Sequence, residues 1–145
     1  MTINWNNIRA LDNSQNEGFE ELVCQLARNE SIPNKKKFIR KGKPDAGVEC
    51  FWILDNGAEW AWQAKFFTSS LDETQWAQLD KSVKTVLDKH QNLNKFYIAI
   101  PNDPPDARIA GQKSMLEKWD ERVKKWEGWA SDKGLKVELL GGVPI

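Results

Sequence analysis

The sequence predicts an α/β domain built on a mixed β-sheet flanked by α-helices, and three observations carry that prediction. Segments with helical spacing of apolar residues alternate with short strand-like runs, in the order helix, three strands, helix, strand, helix, strand. One run, Phe96-Tyr97-Ile98-Ala99-Ile100, is apolar without alternation, as expected of a strand covered on both faces. At 145 residues the chain is long enough for one domain with a real core and no need of disulfides or a structural metal.

Each element has its own signal. Ser14-Gln15-Asn16-Glu17 reads as a capping box, opening a helix from about Gln15 to Arg28 with Phe19, Leu22, Val23 and Leu26 as its apolar stripe. Ser31-Ile32-Pro33-Asn34 stops it, and a short strand follows at Phe38 to Lys41. Gly42-Lys43-Pro44-Asp45 turns the chain into a second strand, Gly47 to Leu54, and Asp55-Asn56-Gly57 turns it back into a third, Glu59 to Phe67. Ser70-Leu71-Asp72-Glu73 reads as a second capping box, for a helix to about Lys89 that buries Trp76, Leu79, Val83 and Val86. A long helix over roughly Gln112 to Asp132 is ended by Lys133-Gly134, and Leu135 to Leu140 is the last strand. No internal repeat is visible. The ending Gly141-Gly142-Val143-Pro144-Ile145 reads as a cut between domains, so residues 1–145 are expected to be the N-terminal part of a larger protein.

Composition narrows the function classes. No apolar run approaches a membrane span, the N-terminus lacks a secretory pattern, and the two cysteines, Cys24 and Cys50, have no metal-like spacing; a cytoplasmic protein is expected. The net charge is zero, but Lys35, Lys36, Lys37, Arg40, Lys41 and Lys43 crowd together with no acid among them. Most such runs are solvated edges. This one ends just before Asp45, which makes Arg40, Lys41 and Lys43 candidate phosphate contacts. Trp119, Trp126 and Trp129 stand at helical spacing, as packing or docking residues. His90, the only histidine, ends a helix, where the helix dipole is explanation enough. A serine, cysteine or zinc mechanism has no support.

The hairpin is the informative feature. A three-residue loop with glycine last suits a type I turn followed by a left-handed residue, so Leu54 pairs with Ala58 and Glu49 faces Gln63. Opposed residues share a side of the sheet, and alternation adds Lys65 to it, so Glu49, Gln63 and Lys65 converge. A two-residue Asn56-Gly57 loop would instead place Glu49 opposite Ala64. Phosphodiester hydrolysis wants such a trio. A hard cation takes oxygen ligands, here a carboxylate and an amide oxygen, and a lysine orients water or stabilises developing charge. Asp45 supplies a second carboxylate, and Glu20 on the first helix flanks the stripe within water-bridged reach. On spacing alone, a Glu–Lys surface ion pair beside an ordinary strand glutamine is the simpler account.

These segments also carry a resemblance. Gly18-Phe19-Glu20-Glu21-Leu22-Val23, Pro44-Asp45-Ala46-Gly47-Val48-Glu49 and Trp62-Gln63-Ala64-Lys65 resemble the Mrr-like branch of the PD-(D/E)XK nucleases, in matching order and on matching element types. The resemblance implies a restriction-endonuclease-like fold and a Mg²⁺- or Mn²⁺-dependent endonuclease for double-stranded DNA. Metal-activated water would attack in line and leave a 5′-phosphate, with little sequence specificity. Glu20 matches the helical Glu of the family's Phe-Glu, and Glu49 its strand aspartate. Gln63 and Lys65 match the Gln-x-Lys pair, and Asp45 an acidic residue ahead of the Gly-Val step. Asp45, Glu49 and Gln63 would then hold the metal. Glu49 departs from the usual Asp, and Gln63 brings no charge, which leaves a catalytically inactive DNA-binding or oligomerising module as the alternative. An RNA-directed or structure-specific nuclease is a further rival, as is an interaction domain working through its tryptophans.

The segment Phe96 to Arg108, followed by the Trp-rich helix, resembles a narrower group, the N-terminal effector nucleases of bacterial antiphage proteins. There the nuclease is fused to a STAND-type NTPase sensor or a second-messenger receptor. This implies a fused NTPase or sensor domain, and a homo-oligomer when active.

Overall fold

A computed structural model describes residues 7, 10, 14–41, 48–67, 71–101, 115–135 and 137–141. Asp45, Lys43 and Ser70 lie outside the described residues. The elements run α1 (Gln15–Arg28), β1 (Lys35–Arg40), β2 (Cys50–Leu54), β3 (Glu59–Ala64), α2 (Glu73–Lys89), β4 (Leu93–Ala99), α3 (Met115–Asp132) and β5 (Glu138–Gly141). This is the expected order. The strands form one mixed sheet in the order β1-β2-β3-β4-β5. The first three make an antiparallel meander, and β3, β4 and β5 run parallel. Parallel neighbours need a crossover, which α2 and α3 supply.

Two cores lie on opposite faces of the sheet. The larger joins Trp76, Leu79, Val83, Val86 and Leu87 of α2 and Trp126 and Ala130 of α3 to Phe51, Ala61, Phe96 and Ile98 of the sheet. The other packs Phe19, Val23, Cys24 and Ala27 of α1 on Cys50, Leu54, Trp60, Trp62, Ala64 and Ala99. β4 therefore feeds both cores, Phe96 and Ile98 one way and Ala99 the other, as its unbroken apolar run requires. Trp126 is fully buried and donates its indole N–H to Asp80 at 2.8 Å; Trp119 packs edge-on against it and tilts against Trp76. Asp80 also accepts from Arg122 at 2.7 Å, tying α2 to α3. Of the three tryptophans of α3, then, Trp119 and Trp126 are packing residues, and Trp129 lies under Lys84 and Lys125.

Three local expectations change. The stripe of α1 is Phe19, Val23, Cys24 and Ala27, while Leu26 is exposed. The helix is rotated because the sheet beneath offers Phe66 to Phe19, and the Trp52 indole N–H to the Ala27 carbonyl at 2.9 Å. The capping box of α2 sits two residues later than expected. Asp72 accepts from the Gln75 N–H at 2.9 Å, and Gln75 accepts from the Asp72 N–H at 3.1 Å. A carboxylate and an amide here meet the same backbone needs as Ser and Glu. β1 begins at Lys35, so the basic run lies on a strand at the edge of the sheet. Lysines there discourage pairing with another chain.

Candidate functional site

The 55–57 hairpin closes as the turn chemistry dictates. Leu54 N–H donates to the Ala58 carbonyl and Gly57 N–H to the Leu54 carbonyl, both at 2.9 Å, and Gly57 sits at φ +87°. That left-handed conformation is one glycine adopts without penalty. The register then runs Ile53↔Glu59, Trp52↔Trp60, Phe51↔Ala61 and Cys50↔Trp62, as expected from the three-residue loop.

The ladder departs from expectation one residue later. Glu49 N–H donates to the Trp62 carbonyl at 2.9 Å, so Glu49 and Cys50 together oppose Trp62, the two-against-one count of a β-bulge. Continued alternation would give the Ala64 N–H to the Val48 carbonyl. Instead the Glu49 carboxylate accepts it, at 2.5 Å. The carboxylate is thus held against β3 at the residue between Gln63 and Lys65, rather than standing directly across from Gln63. A charged acceptor takes a backbone donor more strongly than a carbonyl does, which accounts for the break in the ladder. Lys41 N–H donates to the Glu49 carbonyl at 2.9 Å, so the backbone at Glu49 is held from β1 as well as from β3.

Gln63 is the unusual residue. Its side chain is 1% exposed, and among the described residues its Oε1 has no hydrogen-bond partner. Strand alternation sends it to the same face as Ala61, beneath α2 and α3. A buried, unmet amide oxygen costs about 1–3 kcal/mol unless something pairs with it. Lys65, two residues on, is half-buried, and its backbone N–H donates to the Ala99 carbonyl at 2.9 Å. β3 and β4 are parallel, so Gln63 and Lys65 lie towards the C-terminal end of both strands.

The remaining candidates separate. Glu20 is half-buried on α1 and accepts from Asn16 Nδ2 at 3.0 Å. Its neighbour Glu21 is the residue that reaches the sheet, pairing with Arg40 on β1. That hydrogen bond to Arg40, with a second from Gln25, holds the Glu21 carboxyl below its ordinary range. Arg40, expected to meet phosphate, is engaged within the protein. Lys41 is exposed, with its ammonium 5.6 Å from the centre of the Phe51 ring.

Two arrangements escaped the sequence reading. His90 is 8% exposed; its Nδ1 meets Glu59 Oε2 at 2.8 Å, and its ring stands edge-on to Phe51. Cys24 of α1 and Cys50 of β2 are both buried in the same core cluster. Both join residues far apart in sequence, and no local motif announces either.

Among the described residues no group of three His, Cys, Asp or Glu side chains converges on a metal position. The oxygen donors available are the Glu49 carboxylate and the unmet Gln63 oxygen. Both are hard ligands of the kind a magnesium ion accepts alongside water, so they fit such an ion and would not fit a soft metal. No helix among the described residues is long and apolar enough to cross a membrane. No family model matches the chain, and no curated protein compared with it does so either.

Proposed function

We propose that this domain is a Mg²⁺-dependent endonuclease of the restriction-endonuclease-like type, hydrolysing phosphodiester bonds of double-stranded DNA as the effector part of a larger antiphage protein. The observation that carries the reading is the Oε1 of Gln63, buried and without a partner among the described residues, on the strand whose next residue, Ala64, holds the Glu49 carboxylate. An evolved interior meets nearly all its buried acceptors, so one without a partner among the described residues, near a strand end, suits the reception of a ligand, ion or water. Glu49 and Gln63, with Asp45, would hold the ion. When bound, such an ion lowers the pKa of water and neutralises phosphate charge.

The chain's own residues divide the remaining work. Lys65 presents an ammonium to orient water and to balance the charge that grows on phosphate oxygens. Backbone bonds from β1 and β3 hold the strand position of Glu49, so its carboxylate is preorganised. Lys41 and Lys43 contact the DNA backbone, whereas Arg40 serves Glu21 first. A second reading, an inactive module that binds DNA or oligomerises, is favoured by one observation. The Glu49 carboxylate already has a backbone partner at 2.5 Å, so ion binding must share or displace that bond.

Plasmid cleavage with Mg²⁺ or Mn²⁺ separates the two. The parent protein, in its assembled state, is expected to nick and linearise DNA. Glu49→Ala and Lys65→Ala are each expected to lower the rate by about 10² or more. A Lys65→Ala variant that cuts as fast as the parent would falsify the assignment. DNA binding that persists without metal binding would favour the inactive module.

A further inference from the structure

We propose that the β1 edge of the sheet is a sequence-independent binding ridge for the phosphate backbone of duplex nucleic acid, formed by Arg28, Lys35, Lys36, Lys37 and Lys41. The net charge of the chain is zero, yet residues 28–41 hold six cations and one acid, Glu30. Arg40 is paired with Glu21. Among the described residues the other five cations form no ion pair, and all five are exposed. Several cations of α3 and β4, by contrast, meet carboxylates: Arg122 and Lys125 share Asp80, Lys133 meets Asp88 and Lys95 meets Glu138.

The backbone decides where these charges point. At the start of β1 a bulge sets Lys35 opposite Leu54 and Lys37 opposite Ile53, with Lys36 as the extra residue. Leu54 belongs to the core under α1, and Ile53 packs on the core under α2 and α3. Opposed residues share a face, so Lys35 and Lys37 go to opposite sides of the sheet. Unbroken alternation would have sent both the same way. On the α1 side, the Lys35 ammonium stands 4.5 Å from the centre of the Trp52 ring, and the Arg28 guanidinium 5.9 Å from that of Phe38. Those two rings pack together at 5.0 Å, and the Trp52 indole N–H is anchored on the Ala27 carbonyl. On the other side Lys41 stands over Phe51, at the end of the strand where its N–H holds the Glu49 carbonyl. The edge therefore carries positive charge on both sides.

Chemistry selects the occupant. A duplex carries one negative charge per about 1.7 Å of its axis, and lysines that neutralise phosphates release condensed counterions. Four of the five cations are lysines, compact point charges on flexible stems, which suit phosphate without a planar bidentate partner. A protein partner would want an aromatic or apolar anchor at the centre of the contact. The ridge offers none. Phe38, Trp52 and Phe51 each lie under a cation, and the large apolar residue exposed among the described residues, Leu26, is on α1. Rings covered in this way also give the bases of a single strand no face to stack on, which favours a duplex. Edge lysines keep β1 from pairing with another chain as well, but a glutamate serves that purpose too. The inference rests on the nucleic-acid part of the proposed function and not on a metal at Glu49.

The test is fluorescence anisotropy of a labelled duplex DNA, titrated with the whole chain in EDTA over a series of salt concentrations. The parent is expected to bind at low salt, with log K falling linearly against log salt. Lys35→Glu/Lys37→Glu is expected to weaken binding about tenfold or more and to make that slope shallower by about 2, while staying folded and monomeric. Lys35→Gln/Lys37→Gln, which repels nothing, is expected to give the same change of slope with a smaller loss of affinity. Lys118→Glu/Lys124→Glu, at exposed positions of α3, is expected to bind like the parent. No metal-dependent cutting takes place in EDTA, so the result is separate from the fate of the Glu49 site. The inference is overturned if the parent does not bind at low salt, or if the folded β1 variants keep its affinity and slope. It is equally overturned if the α3 variant loses as much as the β1 variant, or if poly-glutamate displaces the labelled duplex as well as unlabelled duplex does at equal charge.

Discussion

β3 buries a polar side chain at each end, and the two ends have opposite outcomes. At its start, Glu59 meets His90 at 2.8 Å, both largely removed from solvent and closed over by Phe51. Near its finish, Gln63 is more deeply buried, yet its Oε1 has no partner among the described residues. The first end is a finished structural contact. A partner from a distant helix terminus satisfies the carboxylate, and nothing is left over to do chemistry. The second carries an uncompensated desolvation cost, which a protein tolerates where a ligand, ion or water is to be received. Burial of a polar residue is thus no sign of function by itself; what separates the ends is whether its hydrogen bonds are met.

The comparison can be broken or sharpened by substitution. The largest effect on stability is expected at the satisfied end. His90→Ala leaves the Glu59 carboxylate without its partner and removes the ring packed on Phe51, and should cost about 2 kcal/mol or more in urea unfolding. At the other end, Gln63→Leu removes an oxygen that has no partner among the described residues. On the proposed reading, the apo variant should be unchanged or more stable by about 1 kcal/mol, and Mg²⁺ should raise the Tm of the parent but not of the variant. A destabilisation of several kcal/mol would show that the oxygen has a structural partner after all, and the contrast between the two ends would collapse. The smallest effect is expected at Glu21→Gln. Its pair with Arg40 is half in solvent, so stability at neutral pH should change by less than about 0.5 kcal/mol. Because the Glu21 carboxyl is held low in the folded state, that small contribution is present above the carboxylate's ordinary range. It fades as pH falls through the lowered value.

What was legible in the sequence was local. The order of elements, the bounds of α1 and the hairpin register follow from caps, periodicity and one turn, and each depends on residues within a few positions of one another. Gly134 closes α3 as Lys133-Gly134 foretold, its left-handed backbone letting the Leu135 N–H reach the Ala130 carbonyl at 2.9 Å. The rest turns on competition between distant groups. Whether the Ala64 N–H takes a backbone carbonyl or the Glu49 carboxylate is decided by how three strands end together, which pattern alone does not encode. The face α1 buries was similarly undetermined. Leu22 and Leu26 are as apolar as Cys24 and Ala27, and the sheet's aromatic rings made the choice. Glu59 and His90 are 31 residues apart, so reading His90 as a helix-end residue gave its place but missed its partner. The candidate site was read in the same way. Gln63 was found as an oxygen donor on the strand, whereas its being buried and unmet emerges only once α2 and α3 cover that face.

The mixed sheet also implies an order of assembly. β1, β2 and β3 are joined by antiparallel pairing, and the β2–β3 hairpin, with Gly57 at its corner, closes within about 1–10 μs in typical cases. The parallel partners of β3 must wait for an intervening helix and a longer loop to close. A chain emerging from the ribosome N-terminus first can therefore hold Glu49 against the end of β3 before α2 and α3 arrive to bury Gln63. On that order the carboxylate is placed early, and the burial of the amide oxygen is completed last.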